Sequence, residues 1–326
     1  MQINFKTIHL KTTSFYSYFA LFIVLTSAVS CQSKKSQDII RITRVEAVTL
    51  LGDSLYYKIL GSSDTYKKYN SAKIEYEKDD NNANKLIWYG RRAAYTGAYQ
   101  DAIKIFTEGI EKHPQDARMY RHRGHRYIST RQYGKAIADF TKAVELIEGT
   151  EDQVEPDGLP NDRNIPLSTL HGNIWYHLGL AYYLQNDMEK ALEAYGNRTV
   201  TEKYPDNLVS GGYWLYMINR RLGNVDAANA AIEEVTADMD IIENMSYHKM
   251  CLFFKGLISE EEIASQSVGS SSSDVLAYGL GNWYLYEKQD SVKAKELYEH
   301  LLEKGSKYSF AYLVAEADYV RLFVKD

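Results

Sequence analysis

Two stretches of this chain lie over each other at a fixed offset. Setting "WYGRRAAYTGAYQDAIKIFTEGI" above "HRGHRYISTRQYGKAIADFTKAV" matches Gly90, Tyr99, Ala102, Phe106 and Gly109 with Gly124, Tyr133, Ala136, Phe140 and Ala143, each pair 34 residues apart. Such a period constrains the fold strongly, because one copy is a small supersecondary unit that buries its apolar face only against the next copy. Within a copy the apolar residues recur at i, i+3 and i+4, the spacing of a helix face. Gly90 and Gly124 remove side chains where a second helix must cross closely, and Ala102 and Ala136 do the same on that second helix. Tyr99, Phe106, Tyr133 and Phe140 fill the remaining space. Gly97 suits the turn between the helices, and Pro114 stands where the second helix cannot easily continue.

The pattern resembles the tetratricopeptide repeat, a helix-turn-helix unit of this length. A third copy, "IWYHLGLAYYLQNDMEKALEAY", sets Trp175, Leu178, Gly179, Tyr182, Ala191 and Tyr195 on the family positions. A fourth, "WLYMINRRLGNVDAANAAI", keeps Leu215, Gly223, Ala228 and Ile232 but lacks the small residue of the first helix. The last, "YGLGNWYLYEKQDSVKAKELYEHLL", is anchored by Tyr278, Ala294, Tyr298 and Leu301. Between Ala228 and Ala294 lie 66 residues, room for one degenerate pair over "SYHKMCLFFKGLISEEEIA", and "FAYLVAEADYVRL" reads as a closing helix. Upstream, "DIIRITRVEAVTLLGDSLYYKIL" and "DTYKKYNSAKIEYEKD" show helical spacing and read as N-terminal caps; no segment reads as strand. The expected fold is all-α, a right-handed superhelical stack of such helix pairs (an α-solenoid). Residues 31–82 form the tether and capping helices, and 83–326 the solenoid, with an insertion at about 151–171 and a C-terminal capping helix. "QSKKSQ" and "EKDDNNAN" lack apolar residues and read as linker or loop.

Residues 1–30 read as a secretion signal: Lys6 and Lys11 precede the apolar run "FALFIVLTSAV", which is too short for a bilayer span of about 20 residues. Its end, "TSAVSC", resembles the lipobox of bacterial lipoproteins, with Ala28 where Leu is usual. The resemblance implies lipidation of Cys31 and a membrane held through buried acyl methylenes. The 28 tyrosines and the lysines after Cys31 resemble envelope lipoproteins of Bacteroidota, which implies a cell-envelope address at the outer membrane of a Gram-negative bacterium.

Composition narrows the function. At 45% hydrophobic and 25% charged the chain folds, and its formal net charge of -5 argues against general binding of nucleic acid. Cys251 would be the single cysteine after Cys31, so no intrachain disulfide holds the fold, and its setting in "YHKMCLFF" reads as a small buried hydrophobe.

Against that acidic background "RHRGHR" concentrates three guanidiniums and two imidazoles in six residues, Arg121 to Arg126. In the family, set positions of the first helix of each pair face a concave groove. Counted from Gly124, they fall on Arg118, Arg121, His122 and His125; in the unit before, on Trp88, Arg91 and Tyr95. In the later units they fall on Asn173, Tyr176, His177 and Tyr183, then Tyr213, Trp214, Arg220 and Arg221. The resemblance thus implies a groove of arginine, histidine and aromatic rings, suited to an anionic, partly apolar protein segment. Arg123, Arg126 and Arg131 read as cations that solvate a helix surface. Family members that grip a chaperone's C-terminal carboxylate use lysines and asparagines at places held here by Ile87, Arg91, His122, Asn173 and His177, so that motif is absent.

From Ala136 to Ala191 is 55 residues, 21 beyond one period. The excess holds "EDQVEPDGLPNDRNIP", with Pro156, Pro160 and Pro166, and loops of this length are often functional. Its acids, Glu151, Asp152, Glu155, Asp157 and Asp162, are expected to fold toward Arg121 and His125 and narrow the groove or occupy it.

Three functions compete. The first is an envelope-anchored scaffold that binds a protein partner and has no cofactor. The second is a ligand-binding or catalytic protein using His122, His125, His171 and His177 with loop carboxylates; the third is a structural role for the convex face. No spacing matches a metalloprotease, a P-loop, a dinucleotide fingerprint or a nucleophile elbow. "RHRGHRYIS", "EPDGLPN" and "NIWYHLGLA" also resemble bacterial tetratricopeptide proteins, a resemblance that implies no activity.

Overall fold

A computed structural model describes residues 41–59, 63–199, 204–264 and 268–324. The leader, Cys31 and "QSKKSQ" lie outside the described residues, all of which belong to the unit Asp38–Asp326. Among them no helix is long and apolar enough to cross a membrane.

The chain opens with strands β1 (Arg41–Val48) and β2 (Ser54–Ile59) and helix α1 (Asp64–Glu77). Antiparallel helix pairs follow: α2 (Ala83–Tyr95) with α3 (Tyr99–Lys112), α4 (Ala117–Ser129) with α5 (Tyr133–Ile147), and α6 (Leu170–Leu184) with α7 (Met188–Thr199). Next come α8 (Pro205–Leu222) with α9 (Val225–Ala230), the short pair α10 (Met245–Phe254) and α11 (Glu260–Ala264), and α12 (Ser271–Tyr286) with α13 (Ser291–Lys304). Helix α14 (Phe310–Phe323) ends the described chain. The expected all-α stack is present, with helices α10, α11 and α14 over "SYHKMCLFFKGLISEEEIA" and "FAYLVAEADYVRL".

The pairs close by one device. A Cβ added at Gly90 would meet Phe106 at 2.5 Å, at Gly124 Phe140 at 2.9 Å, at Gly179 Tyr195 at 2.7 Å and at Gly281 Tyr298 at 2.5 Å. Each first helix therefore receives an aromatic ring of the second in the space of a missing side chain. The fourth pair corrects the expectation that it lacks a small residue: Gly212 supplies it, a Cβ there lying 2.9 Å from the Ala231 carbonyl. The turns inside the pairs share a left-handed residue as well: Gly97, Arg131, Asn186, Gly223, Gly256 and Gln289 all have φ between 55° and 87°.

The N-terminal segment departs from expectation. "RITRVEAV" and "SLYYKI" form an antiparallel hairpin, not a helix. Two strands of branched and aromatic residues flank Gly52, whose φ of +92° turns the chain, while the Asp53 amide donates to Thr49 Oγ1 at 2.9 Å. The hairpin docks on α3, a helix whose own N-cap, Ala98, offers no side-chain acceptor. Buried Glu46 accepts instead from the Gln100 amide at 2.7 Å, satisfying one of the free donors of that helix start. Arg44 fixes the same strand by pairing with Glu46 and Asp101.

The far end of the chain returns to the early pairs. Tyr308 packs edge-on against Tyr99, with centroids 4.9 Å apart, and Phe310 sits against His125 and His177 at 5.5 Å. Arg131, at the α4–α5 turn, donates to the Lys307 carbonyl at 2.7 Å and pairs with Glu316 at 3.1 Å. Cys251 is a buried small hydrophobe, as expected, and burial pushes its thiol up.

Candidate ligand-binding groove

Helices α2 and α4 carry the cationic cluster, and their register decides where each charge goes. Arg123 turns to its own pair and forks onto Asp139 of α5 at 2.7 and 2.8 Å. Arg118 stays at the helix start, held by Asp116 and by the Asn84 side chain at 2.7 Å. Arg121 points inward: its Nη1 donates to His122 Nδ1 at 3.1 Å and its Nε faces Glu155 at 3.1 Å. Arg126 lies over the Tyr99 ring, 5.4 Å from its centroid, and Arg91 over Trp88 at 4.5 Å. Among the described residues neither Arg91 nor Arg126 has a carboxylate at ion-pair distance.

Three imidazoles share this interior. His122 stacks on Phe106 at 5.3 Å, while His125 and His177 approach to 4.4 Å between centroids. Burial, reinforced by the surrounding arginines, holds all three well below the ordinary histidine range, so they are neutral near pH 7. His122 then accepts from Arg121 through Nδ1 and presents Nε2–H to Glu155 Oε1, 3.3 Å away. His177 donates from Nδ1 to the Asn173 carbonyl at 2.7 Å. Among the described residues no three of His, Cys, Asp and Glu converge as a metal site.

The insertion between α5 and α6 lies against this face. Its base is a short ladder, with the Glu155 amide donating to Ser168 O at 2.9 Å and the Leu170 amide to Gln153 O at 2.8 Å. Asp152 accepts from the His171 amide at the start of α6. From that base Glu155 reaches Arg121 and His122 and accepts from Asn173 Nδ2 at 2.6 Å. Arg92 donates to Gly158 O at 3.1 Å, and Gly158 packs so tightly on Tyr95 that a Cβ there would lie 2.1 Å from the phenolic oxygen. Further on, Arg163 pairs with Asp240 at 2.6 Å. The loop does fold toward Arg121, but its partner histidine is His122; His125 instead faces His177 and Phe310.

The expected concave register brings together six of its fifteen residues. Trp88, Arg91, Tyr95, Arg121, His122 and His125 come together on α2 and α4, and Asn173 adjoins them through Glu155. Farther along, it is corrected. Tyr183, Tyr213 and Trp214 are at most 1% exposed, and His177 is buried with them. Tyr176 accepts from Trp214 Nε1 at 2.9 Å and shares a bond with Tyr247, inside the same packing. Arg221 is spent on Asp318 at 3.1 Å, and Arg220 faces Glu287 at 3.5 Å. The cause is α12 and α14, which fold over α6 and α8: Tyr183 meets Tyr278 at 2.6 Å, and Tyr278 donates to Asp318 at 2.8 Å. The family register presumes an open inner surface, and here the chain covers it with its own last helices. Arg126 escaped the sequence reading, since it looked like a solvating charge; its signal was a place four residues after His122, one turn on along the same helix face.

Stacked antiparallel helix pairs with a cationic, aromatic face on their first helices define a helical-repeat scaffold. The tetratricopeptide repeat family profile matches residues 90–150 and 168–207. Serine/threonine-protein phosphatase 5 of Homo sapiens is 42% identical over 48 residues, 15% of this chain and 10% of the phosphatase, so the likeness spans about a tenth of that relative. The same protein of Rattus norvegicus matches equally. Among solved structures, a tetratricopeptide repeat protein from Parabacteroides merdae is 17% identical with a TM-score of 0.46, over 78% of this chain and 92% of its own. YrrB, described as a TPR protein with an unusual peptide-binding site, is 16% identical with a TM-score of 0.42, over 75% of this chain and 97% of its own.

Proposed function

We propose that the protein is a tetratricopeptide scaffold of a bacterial cell envelope, held to the outer membrane by lipid on Cys31, that binds an anionic, partly apolar segment of a protein partner on the α2–α4 face. The observation that carries this reading is the pair Arg91 and Arg126, cations laid on Trp88 and Tyr99 with no carboxylate at ion-pair distance among the described residues. Burial desolvates Arg126, and a desolvated guanidinium without a counter-charge is unfavourable unless a bound anion completes it. The reading includes no catalytic step.

The test is affinity capture from envelope extract with the wild type against Arg91→Glu. Arg91 is partly exposed, so its reversal leaves the interior packing in place. A partner retained by the wild type and lost in the variant supports the scaffold; identical captures from both sink it. Radiolabelled palmitate incorporated into the wild type and absent from Cys31→Ser checks the anchor.

The second reading, a ligand site closed by the insertion, is favoured by one loop residue: Glu155, which contacts Arg121 and His122.

A further inference from the structure

Between α2 and α4 lies a cavity of about 110 Å³ walled by Arg91, Arg121 and Arg126, with Tyr95 and Phe106 giving it apolar sides. That volume admits several water molecules, and hence a tetrahedral oxyanion. A fourth guanidinium, Arg92, stands outside the lining, over the Tyr95 ring and donating to Gly158 O. Among the described residues only Glu155 and Asp157 bring negative charge: Glu155 pairs with Arg121, and Asp157 feels Arg91 while burial pushes its carboxyl up. His122 and His125 also line the cavity and are neutral, so they add donors without adding charge. With Arg92 counted, the site therefore holds two more cations than carboxylates.

Arg121 strengthens the case. It is 8% exposed, and its Nε, though near Glu155, makes no well-aligned hydrogen bond. Burial pushes the Arg126 guanidinium down to about 10, a sign that nothing nearby repays its desolvation. The chain already supplies two carboxylates from within, Glu155 and Asp157. What stays uncompensated is a double positive charge around a small chamber, and three planar forks can address the several oxygens of a tetrahedral dianion better than the two of a carboxylate.

We propose that this cavity is a phosphate site, in which Arg91, Arg121 and Arg126 bind a phosphate dianion, either free or carried as a phosphoryl group, beneath the Glu155–Gly158 strap. The proposal rests on the α2–α4 face being a binding face. It does not require the envelope address or a protein partner. Inorganic phosphate can bind while capture fails, which would sink the scaffold alone.

The experiment is titration of the mature chain, residues 31–326 with Cys31 replaced by Ser, with sodium phosphate at constant ionic strength, read by calorimetry and by thermal shift, with sodium acetate and O-phosphoserine in parallel. Saturable binding of phosphate and little of acetate is expected. Each of Arg91→Gln and Arg126→Gln should weaken it at least tenfold, since one charge-assisted bond contributes roughly 1.5 to 3 kcal/mol. Arg126→Gln should melt no lower than wild type without phosphate, because it removes an uncompensated charge, and this shows that the variant folds. O-phosphoserine tighter than phosphate assigns a carried phosphoryl group and weaker assigns the free anion; both support the site. No saturable phosphate binding, equal binding of acetate, or wild-type affinity in both variants overturns it.

Discussion

Arg131 and Glu316 form an ion pair at 3.1 Å across 185 residues of sequence, with side chains 3% and 0% exposed. Deleting one member of so buried a pair leaves the other charged and unpartnered, which typically costs about 3–5 kcal/mol. Glu316→Ala should lower the unfolding free energy by roughly 3 kcal/mol in urea, and Arg131→Met with Glu316→Leu should recover part of the loss. A double variant no more stable than the single one would contradict the pairing.

Gly124 gives the crossing of α4 and α5 its closeness, and the Phe140 ring stands where a methyl group would go. Gly124→Ala should destabilise by about 1–3 kcal/mol through overpacking, despite the better helix propensity of alanine. Adding Phe140→Leu should return part of it, measured in the same denaturation assay; additive losses would place the strain elsewhere.

The three imidazoles set a pH dependence. In the fold they stay neutral because their affinity for a proton is depressed, whereas in the unfolded chain they take up protons below about 6.5. Stability from this source is therefore complete above about pH 6.5 and is lost as pH falls below it. Each histidine contributes a slope of about 1.4 kcal/mol per pH unit. Asp139 and Glu316, whose carboxyls burial pushes up, oppose this, but at lower pH. Melting from pH 7.5 to 5.5 should show the fall, and His125→Gln should reduce its slope by about a third, one of three such groups. An unchanged slope would exclude His125.

The insertion is pinned by Glu155 and Gly158, and trypsin can reach Arg163 within it. Glu155→Gln removes charge but little volume, and losing a charge-assisted contact of roughly 1.5–3 kcal/mol should raise local opening more than tenfold. Gly158→Ala should act likewise by pushing the strap off Tyr95. Cleavage at Arg163 under limiting protease is the readout, and wild-type rates in both variants would show that the strap is held by other contacts.

The repeat was legible because its determinants are local: a glycine on one helix and a ring about half a period later settle a crossing within one unit, as Gly90 with Phe106 and Gly124 with Phe140 demonstrate. Gly212 was missed because α8 takes its partner earlier than the family register sets it. The hairpin at Arg41–Ile59 misled the reading because Ile42, Val45 and Val48 satisfy helical spacing too, while their β-branching and Gly52 argued for strand. The fate of the groove could not be read locally. Arg121 and Arg221 look alike in sequence; one meets a loop carboxylate 34 positions on and the other Asp318, 97 positions away.

An array of repeats in which each unit touches only its neighbours melts piecemeal, fraying from either end. The return of α14 changes that arithmetic. Because Tyr308 packs on the first pair of helices and Glu316 holds the second from the far terminus, the links form a loop in energy as well as in space, and no middle unit can open without straining a distant clasp. Such a molecule should behave as one switch between whole and undone.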